Sequence, residues 1–206
     1  DRERVRCFLR LLSLNPDYLD IEGDALEVFP EIFSNRQNQT KLILSYHNME
    51  ETPQNLEEIY LEMEGFGPDF IKLATYAKSS LDSLRMLHFV KSKQKIIGLC
   101  MGKKGLPSRT LSATCGNVWT FASLNEETES IPYQSRLQDL LGIYHYRSLN
   151  AGSKLFALIG SPVDKSVGHI FHNKILQEQS YNGVYEKIEV AAHELKGFFC
   201  LAKSLP

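Results

Sequence analysis

The chain has 206 residues, with 43% hydrophobic residues, 23% charged residues and a formal net charge of −2 at pH 7. Lysine and arginine are scattered among acidic residues, so no basic surface indicates nucleic-acid binding. No apolar run reaches the roughly 18 residues of a membrane span. We therefore expect an ordinary globular protein without nucleic-acid or membrane partners, whose length suits one large domain or one and a half.

Strand patterns alternate with helical patterns over the first three quarters of the chain. After the amphipathic segment DRERVRCFLRLL, the predicted strands are 18–22, 41–47, 70–76, 95–102 and 118–124, and the clearest helices are 52–64, 79–91 and 133–146. Thr52 is the expected N-cap of the first of these helices. The alternation predicts a parallel sheet, either open and doubly wound or closed as a (β/α)8 barrel. A complete barrel takes about 250 residues, so five strands correspond to five of its eight units.

A second, shorter α/β segment follows the stretch NAGSK. We predict a linker at residues 149–153. After it come a strand at 154–160, the turn SPVDKSVG, a helix around IFHNKILQEQ, a strand at 183–190 and the helix HELKGFFCLAK. We expect residues 1–148 to form one domain and residues 154–206 the start of another, which alone is too short to close a core.

The four cysteines favour neither a metal site nor a redox site. They lie far apart and form no CxxC pair, at Cys7, Cys100, Cys115 and Cys200. Zinc and dithiol sites need closely spaced cysteines. We predict no metal centre, and free thiols in a reducing, cytoplasmic compartment.

Two residues on neighbouring predicted strands suggest chemistry. His47 ends the strand KLILSYH, and Lys72 lies within the apolar strand FIKLATY. The carboxyl ends of parallel strands hold the active sites of α/β folds. A desolvated lysine favours its neutral amine, which can attack a ketone and form an iminium. A nearby imidazole can then move the proton for a β-elimination. Alternatively, Lys72 pairs with Asp20 or Glu22, and His47 is a hydrogen-bonded residue at the end of its strand.

Two loops provide candidate binding groups. In GKKGLPSR, Arg109 would lie in the first turn of a helix, where a guanidinium and helix amides can hold a carboxylate. In SIPYQ, Ser130 and Gln134 could donate hydrogen bonds from a loop that closes over a substrate. The alternatives are a flexible, solvated basic loop and an ordinary polar loop.

Four motifs together resemble type I 3-dehydroquinate dehydratase. SYHNMEETP, DFIKLATY, GKKGLPSR and SIPYQ occur in the order and at the spacing of that family, over roughly residues 5 to 146. The resemblance implies a (β/α)8 barrel of the shikimate pathway, which needs no cofactor and converts 3-dehydroquinate to 3-dehydroshikimate through a lysine Schiff base.

Matched motif by motif, the resemblance gives each candidate residue a role. Lys72 resembles the Schiff-base lysine, and His47 the general acid and base. Arg109 resembles the arginine that holds the substrate carboxylate, and Ser130 and Gln134 the polar residues of the closing loop.

The segment KLFALIGSPVDKSVGHIFHNKIL is similar to the opening of shikimate dehydrogenase. In that family two serines hold the carboxylate of shikimate; Ser166 matches the first, whereas Gly168 replaces the second and Lys165 replaces a histidine. The further matches are Gly160, Pro162, Val163, His172 and Asn173. A dehydratase followed by this segment resembles the bifunctional fusion of the two enzymes.

Several family features are not found in the sequence. The barrel strands that carry an arginine, other polar ligands and the glutamate orienting the histidine are expected in front of residue 1. The NADP-binding domain of the dehydrogenase is expected after residue 206, because no GxGxxG occurs in the chain. These expectations describe an internal, inactive part of a longer bifunctional enzyme of unknown oligomeric state.

Two other interpretations remain open. A ligand-sensing relative without activity would bind pathway intermediates, although it has little reason to keep both the amine and the imidazole. An unrelated Schiff-base barrel of the aldolase kind would share Lys72, but the order of the Arg109 and Ser130/Gln134 motifs argues against it.

Overall fold

The computed structural model describes residues 2–36, 39–124 and 134–205. In a first sheet, four parallel strands lie side by side in chain order. They are β1 (Tyr18–Glu22), β2 (Lys41–Asn48), β3 (Phe70–Tyr76) and β4 (Ile96–Met101). The helices of this part are α1 (Arg2–Leu12), α2 (Phe29–Asn35), α3 (Leu56–Glu64), α4 (Ser80–Lys91), α5 (Leu106–Thr110) and α6 (Leu137–Gly142). No helix within the described ranges has the length and apolar character that crossing a membrane requires.

The two faces of the first sheet differ in chemistry. Side chains alternate between faces along a strand, and neighbouring parallel strands keep that alternation in step. One face presents Ile21, Leu44 and Leu73, which are fully buried in the main hydrophobic core. The opposite face carries Ser45 and Lys72, which are partners in the register of β2 and β3. Helices cover the apolar face, and the polar side chains Ser45 and Lys72 lie on the opposite face.

The predicted helix at 79–91 is confirmed as α4. Ser79 is its N-cap and accepts a hydrogen bond from the Leu81 amide at 3.1 Å, while the Ser79 amide donates to Asp82 at 3.1 Å. This capping box satisfies amides that the first helical turn leaves unpaired. Leu84 and Leu87 then bury the apolar side of the helix against the sheet.

The predicted N-cap role of Thr52 is wrong. Helix α3 begins at Leu56, and its N-cap Asn55 makes no side-chain cap bond. The buried hydroxyl of Thr52 instead lies 2.9 Å from the Thr75 hydroxyl and donates to the Tyr76 carbonyl at 3.0 Å. A tertiary contact with the end of β3 therefore outweighs the local capping preference.

The fifth predicted strand, 118–124, is also wrong for the described residues. Only an isolated bridge joins Ser123 to Arg136, and the rest of the segment is irregular. The Asn117 side chain explains this, because its oxygen accepts from the Gly98 amide at 2.8 Å and its nitrogen donates to the Trp119 carbonyl at 2.7 Å. The segment therefore meets the edge of β4 through one backbone bond, from the Val118 amide to the Ile96 carbonyl at 3.1 Å, and the Asn117 side chain takes the place of the next one.

The predicted helix at 133–146 is shorter than expected. Helix α6 covers Leu137–Gly142, and His145 adopts a left-handed conformation with φ of 49°. A non-glycine residue at positive φ ends a right-handed helix.

A second sheet contains two parallel strands, β5 (Lys154–Gly160) and β6 (Gly183–Glu189). Helix α7 (Gly168–Glu178) connects them, and α8 (Leu195–Ala202) follows. The Asn173 side chain fastens α7 to β6, because it accepts from the Tyr185 amide and donates to the Tyr185 carbonyl, both at 2.7 Å. Both strands predicted in this region are confirmed.

The two sheets belong to parts of the chain that pack together. The His88 ring nitrogen Nε2 lies 2.7 Å from the Leu201 carbonyl oxygen, which joins α4 to α8. The predicted linker contains a hydrogen-bonded turn, in which the Ser153 amide donates to the Asn150 carbonyl at 2.9 Å. The division into domains at 148 and 154 stays a prediction; below, residues 2–148 are called the first part and residues 154–205 the second part.

The reactivity of the four cysteine thiols tests how deeply the structure buries them. The structure buries Cys100 and Cys115 and exposes Cys7 and Cys200. Burial raises the pKa of the Cys100 and Cys115 thiols, so a smaller fraction of each is thiolate at any pH below those values. At about pH 8, we expect iodoacetamide to alkylate Cys7 and Cys200 in the native protein, and the buried pair only after unfolding in urea. Peptide mass spectrometry measures this, and rapid native labelling of Cys100 would contradict the fold.

Candidate active site

Lys72 lies in the middle of β3, on the sheet face away from the main core, and is 8% exposed. Its ammonium donates to one carboxylate oxygen of Asp20 on β1. Ser45, on the strand between them, donates its hydroxyl to the other oxygen. The Phe121 ring lies 5.2 Å from the Lys72 nitrogen. The pairing of Lys72 with Asp20 is the one the sequence offered as an alternative, and it compensates a charge that burial would otherwise make costly.

His47, near the carboxyl end of β2, is held by Glu22 on β1. Its ring nitrogen Nδ1 lies 2.5 Å from one Glu22 oxygen, and its backbone amide donates to the other at 3.1 Å. Because a carboxylate accepts hydrogen bonds, this contact places a hydrogen on Nδ1, and in the neutral ring the lone pair is then on Nε2. The resemblance placed the family's histidine-orienting glutamate outside the chain; in this structure Glu22 makes contact with His47.

His47 and Lys72 project from the same face of adjacent strands, as the strand order predicted. Lys72 pairs with Ser45 and His47 pairs with Ala74 in the parallel register. One strand spacing and a two-residue rise separate their Cα atoms by on the order of 8 Å. A small molecule held at the amine can therefore reach the imidazole.

Arg109 is buried beside this face and is only 2% exposed. Its Nε donates to the Cys100 carbonyl at 3.1 Å, and its Nη1 lies 3.5 Å from the Phe121 carbonyl. Burial lowers the pKa of Arg109 to about 10, so it stays protonated at neutral pH. No carboxylate forms an ion pair with it among residues 2–36, 39–124 and 134–205. A flexible, solvated loop was the alternative for this arginine, and its burial contradicts that alternative.

The position of Arg109 depends on how α5 begins. The Ser108 hydroxyl accepts from the Cys100 amide at 2.7 Å and donates to the Gly105 carbonyl at 2.6 Å. Gly105 approaches β4 so closely that a Cβ there would lie 2.5 Å from the Cys100 carbonyl oxygen. The glycine and the serine therefore fasten α5 to the end of β4 and direct Arg109 toward Phe121.

The loop candidates are placed only in part. Ser130 lies outside the described residues, and Gln134 is half-buried in the segment next to Ser123. The Ser123 amide donates to the Ser135 carbonyl at 3.0 Å, which holds this segment beside Phe121. In the described part of the chain, the buried hydroxyls of Thr120, Ser123 and Ser135 have no hydrogen-bond partner. Buried hydroxyls normally find partners, so these three are unusual.

Ser166 lies in the second part, in the turn between β5 and α7. Its hydroxyl accepts from the Gly168 amide at 3.3 Å, and its carbonyl accepts from Lys187 at 3.2 Å. The structure therefore gives Ser166 a local role at the start of α7, and it places Ser166 apart from Lys72 and His47. Its predicted contact with a substrate carboxylate stays a prediction.

The sequence did not identify Ser45 or Phe121 as site residues, because the role of each depends on strand register or on the packing of a buried loop. Ser45 lies two residues before His47 on β2, and only the register of β1, β2 and β3 brings it to Asp20. Phe121 lies in the segment predicted as the fifth strand, where its side chain resembles that of any apolar strand residue. A serine two residues before a strand-end histidine shares its face, and this spacing could have identified Ser45.

Comparison with known proteins gives a consistent result. A family model described as type I 3-dehydroquinase matches residues 1–151. The bifunctional 3-dehydroquinate dehydratase/shikimate dehydrogenase of Arabidopsis thaliana is 35% identical over 190 residues, which cover 90% of this chain and 32% of that protein. The chain thus spans about a third of the plant relative's length.

Two solved structures are similar in fold. The 3-dehydroquinate dehydratase of Aquifex aeolicus matches with a TM-score of 0.60 and 30% identity, covering 68% of this chain and 64% of that one. The dehydroquinate dehydratase and shikimate dehydrogenase from S. pombe AroM matches with a TM-score of 0.57 and 21% identity, covering 100% of this chain and 39% of that one. The second likeness extends over both parts of the present structure and concerns the fold alone.

Substitution of Gly105 tests how Arg109 is positioned. In Gly105→Ala the new methyl group meets backbone that cannot move away, so we expect the free energy of unfolding to fall by roughly 1–3 kcal/mol. A Cβ at Gly142, in α6, meets nothing within 4 Å. Gly142→Ala is the matched control and is expected to be neutral or stabilising by up to about 1 kcal/mol. Urea unfolding followed by circular dichroism measures both; equal effects would contradict the close approach of α5 to β4.

Proposed function

Because the chain belongs to the type I 3-dehydroquinase family, we propose that it carries the site that dehydrates 3-dehydroquinate to 3-dehydroshikimate through a Schiff base on Lys72. The observation that carries this proposal is a buried lysine on the same sheet face as a histidine whose Nδ1 is held by a carboxylate. An amine beside an imidazole is the pair that iminium-assisted elimination requires.

The first step is capture of the ketone. The Lys72 ammonium gives a proton to Asp20, which already contacts it, and the neutral amine attacks the carbonyl carbon. The carbinolamine then loses water and leaves an iminium, which withdraws electrons from the neighbouring carbon. No cofactor is needed, because the iminium itself is the electron sink.

The second step is proton transfer by His47. With Nδ1–H directed at Glu22, the lone pair on Nε2 takes the acidified proton from the carbon next to the iminium. The imidazolium then returns a proton to the leaving hydroxyl, which departs as water while the carbon–carbon double bond forms. Water hydrolyses the iminium, releases 3-dehydroshikimate and regenerates the amine. Glu22 keeps one tautomer in place and stabilises the transient positive charge.

We assign substrate binding to Arg109 and to the loop residues. The substrate carries a carboxylate, and Arg109 is a buried cation without an ion-pair partner in the described ranges, so their pairing satisfies both groups. We assign Gln134 and Ser130 to hydrogen bonds with the substrate hydroxyls, as the family motif implies. The buried hydroxyls of Ser123 and Ser135 are further candidates for such contacts.

The second part is proposed to be the opening of a shikimate dehydrogenase, with Ser166 at the carboxylate of its substrate. The dehydrogenase reaction reduces 3-dehydroshikimate with NADPH, and that cofactor is assigned to the dehydrogenase and not to the dehydratase site. The relatives' names couple the two activities in one protein. In this sequence of reactions, 3-dehydroshikimate is the product of the first part and the substrate of the second.

Covalent trapping tests the Schiff base. Borohydride with 3-dehydroquinate should reduce the iminium in the native protein and add one ligand mass to the peptide that contains Lys72. Lys72→Met should abolish both the adduct and turnover. Since that change leaves the Asp20 carboxylate without its cation, Lys72→Met/Asp20→Asn serves as a second variant with the same expected loss. Lys78→Met removes an exposed lysine paired with Glu51 and is the matched control, expected to trap normally.

Two outcomes of this experiment would contradict the proposal. An adduct on another lysine would move the chemistry elsewhere. Tight binding of 3-dehydroquinate without an adduct or product would favour the non-catalytic, ligand-sensing interpretation.

Substitution of Arg109 tests carboxylate binding. Arg109→Lys keeps the charge and loses the planar fork, so we expect KM for 3-dehydroquinate to rise roughly tenfold or more, with a smaller change in kcat. Arg85 is a half-buried arginine on the helix side, bonded to the Pro53 carbonyl at 2.6 Å. Arg85→Lys is the matched control and should leave KM unchanged. Steady-state kinetics measure both variants, and equal effects on KM would contradict the assignment of Arg109 to the substrate carboxylate.

A further inference from the structure

Glu186, at the centre of β6, is a completely buried carboxylate with a relative exposure of 0%. It accepts from the Thr110 hydroxyl at 2.5 Å, from the Tyr144 hydroxyl at 2.9 Å and from the Lys187 amide at 2.8 Å. No lysine, arginine or histidine forms an ion pair with it in the described ranges. Burial raises the pKa of Glu186. A buried carboxylate without a cation is costly, and a group of the same shape without charge would pack at lower cost.

The three bonds of Glu186 join the two parts of the chain. Glu186 belongs to the second part, whereas Thr110 and Tyr144 belong to the first. Thr110 is the last residue of α5 and directly follows Arg109. The carboxylate therefore holds the helix that carries the candidate substrate arginine.

The segment that leads into α5 is held by the same neighbour. Lys103 pairs with Asp164 at 2.6 Å, and the Lys103 and Lys104 ammonium groups lie 3.4 and 3.6 Å from Glu189. These pairs are partly exposed, so each contributes little by itself. Together with Glu186, they place acidic groups of the second part at both ends of the segment from Lys103 to Thr110.

The closeness of Glu186 determines where the Thr110 hydroxyl points. That hydroxyl lies 2.5 Å from Glu186 and 3.3 Å from the Leu106 carbonyl. It has one hydrogen, so it cannot donate fully to both acceptors. The nearer acceptor, Glu186, takes the hydrogen, which ties the end of α5 to β6 instead of to its own first turn.

The groups around Glu186 are themselves enclosed. The Tyr144 ring stacks on His169 with centroids 6.0 Å apart, and His169 is only 9% exposed. Burial lowers the pKa of His169, and of the nearby charged groups Lys187 acts on Glu186 and Asp139 acts on Tyr144. Water therefore has little access to replace the bond between Thr110 and Glu186.

We propose that Glu186 is a positioning residue for the candidate dehydratase site: through Thr110 it fixes α5 and hence the direction of Arg109, so the second part completes the carboxylate-binding end of the first. This inference rests on the proposed function, because it assigns the benefit to substrate binding by Arg109. It concerns binding and not the covalent step, since Lys72 and His47 lie on strands that Glu186 does not contact.

Kinetics of the native protein separate positioning from simple packing. Glu186→Gln preserves shape and removes charge, and Thr110→Val removes the donor. Each should raise KM for 3-dehydroquinate by roughly tenfold with kcat changed by less than about threefold. Borohydride trapping at Lys72 should still reach completion at saturating substrate. Thr110→Ser restores the hydroxyl and should return KM to nearly the wild-type value. Glu178→Gln, on the exposed side of α7, is the matched control without effect.

A structural readout decides the inference even if turnover is absent. In crystal structures of Glu186→Gln and the wild type, we expect the bond from Arg109 to the Cys100 carbonyl to be lost or redirected in the variant alone. An unmoved Arg109 with unchanged KM, whatever the change in unfolding free energy, would reduce Glu186 to a packing residue. Absence of a Lys72 adduct in the wild type would instead overturn the proposed function, and the position of Arg109 would still decide the role of Glu186.

Discussion

The Lys72 ammonium belongs to a side chain that is itself buried and requires an anion, and the partly exposed carboxylate of Asp20 supplies it across an intervening strand. Ser45 occupies that intervening strand and binds the second oxygen, so the carboxylate is fixed from two sides. The arrangement holds only while β1, β2 and β3 keep their register. A shift by one residue would turn Lys72 toward the hydrophobic core and Ile71 away from it, so the packing of the core and the pairing of the charge enforce the same alignment.

The same alternation explains why one sheet carries both a core and a site. Helices cover the face that presents Ile21, Leu44 and Leu73, and this burial supplies the stability. The opposite face carries carboxylates, an imidazole and an amine beside buried apolar residues, among them Ile43, Ile97 and the small cluster of Ala74, Leu99 and Met101. Stability and chemistry are thus divided between two sides of the same strands.

Arg109 links this face to the rest of the molecule. It projects from a short helix that has little intrinsic stability, since a helix of this length makes few internal hydrogen bonds. Gly105 and Ser108 fasten the beginning of the helix to β4, and Glu186 of the second part reaches its end. A substrate-binding arginine on such a helix takes its direction from neighbours, which gives a physical reason for the two parts to function together.

The sequence by itself determined the alternation of strands and helices, the capped helix α4, the parallel order that puts His47 beside Lys72, and the motifs that identify the family. These features depend on spacing and residue type within short segments, which the sequence displays directly. Only the tertiary structure decided that Asp20 pairs with Lys72, that Glu22 holds His47, that the Asn117 side chain bonds to the edge of β4 and that Glu186 reaches Thr110. Each of these contacts joins residues distant in the chain, and the choice among several possible partners follows from strand register and packing, which no local pattern encodes.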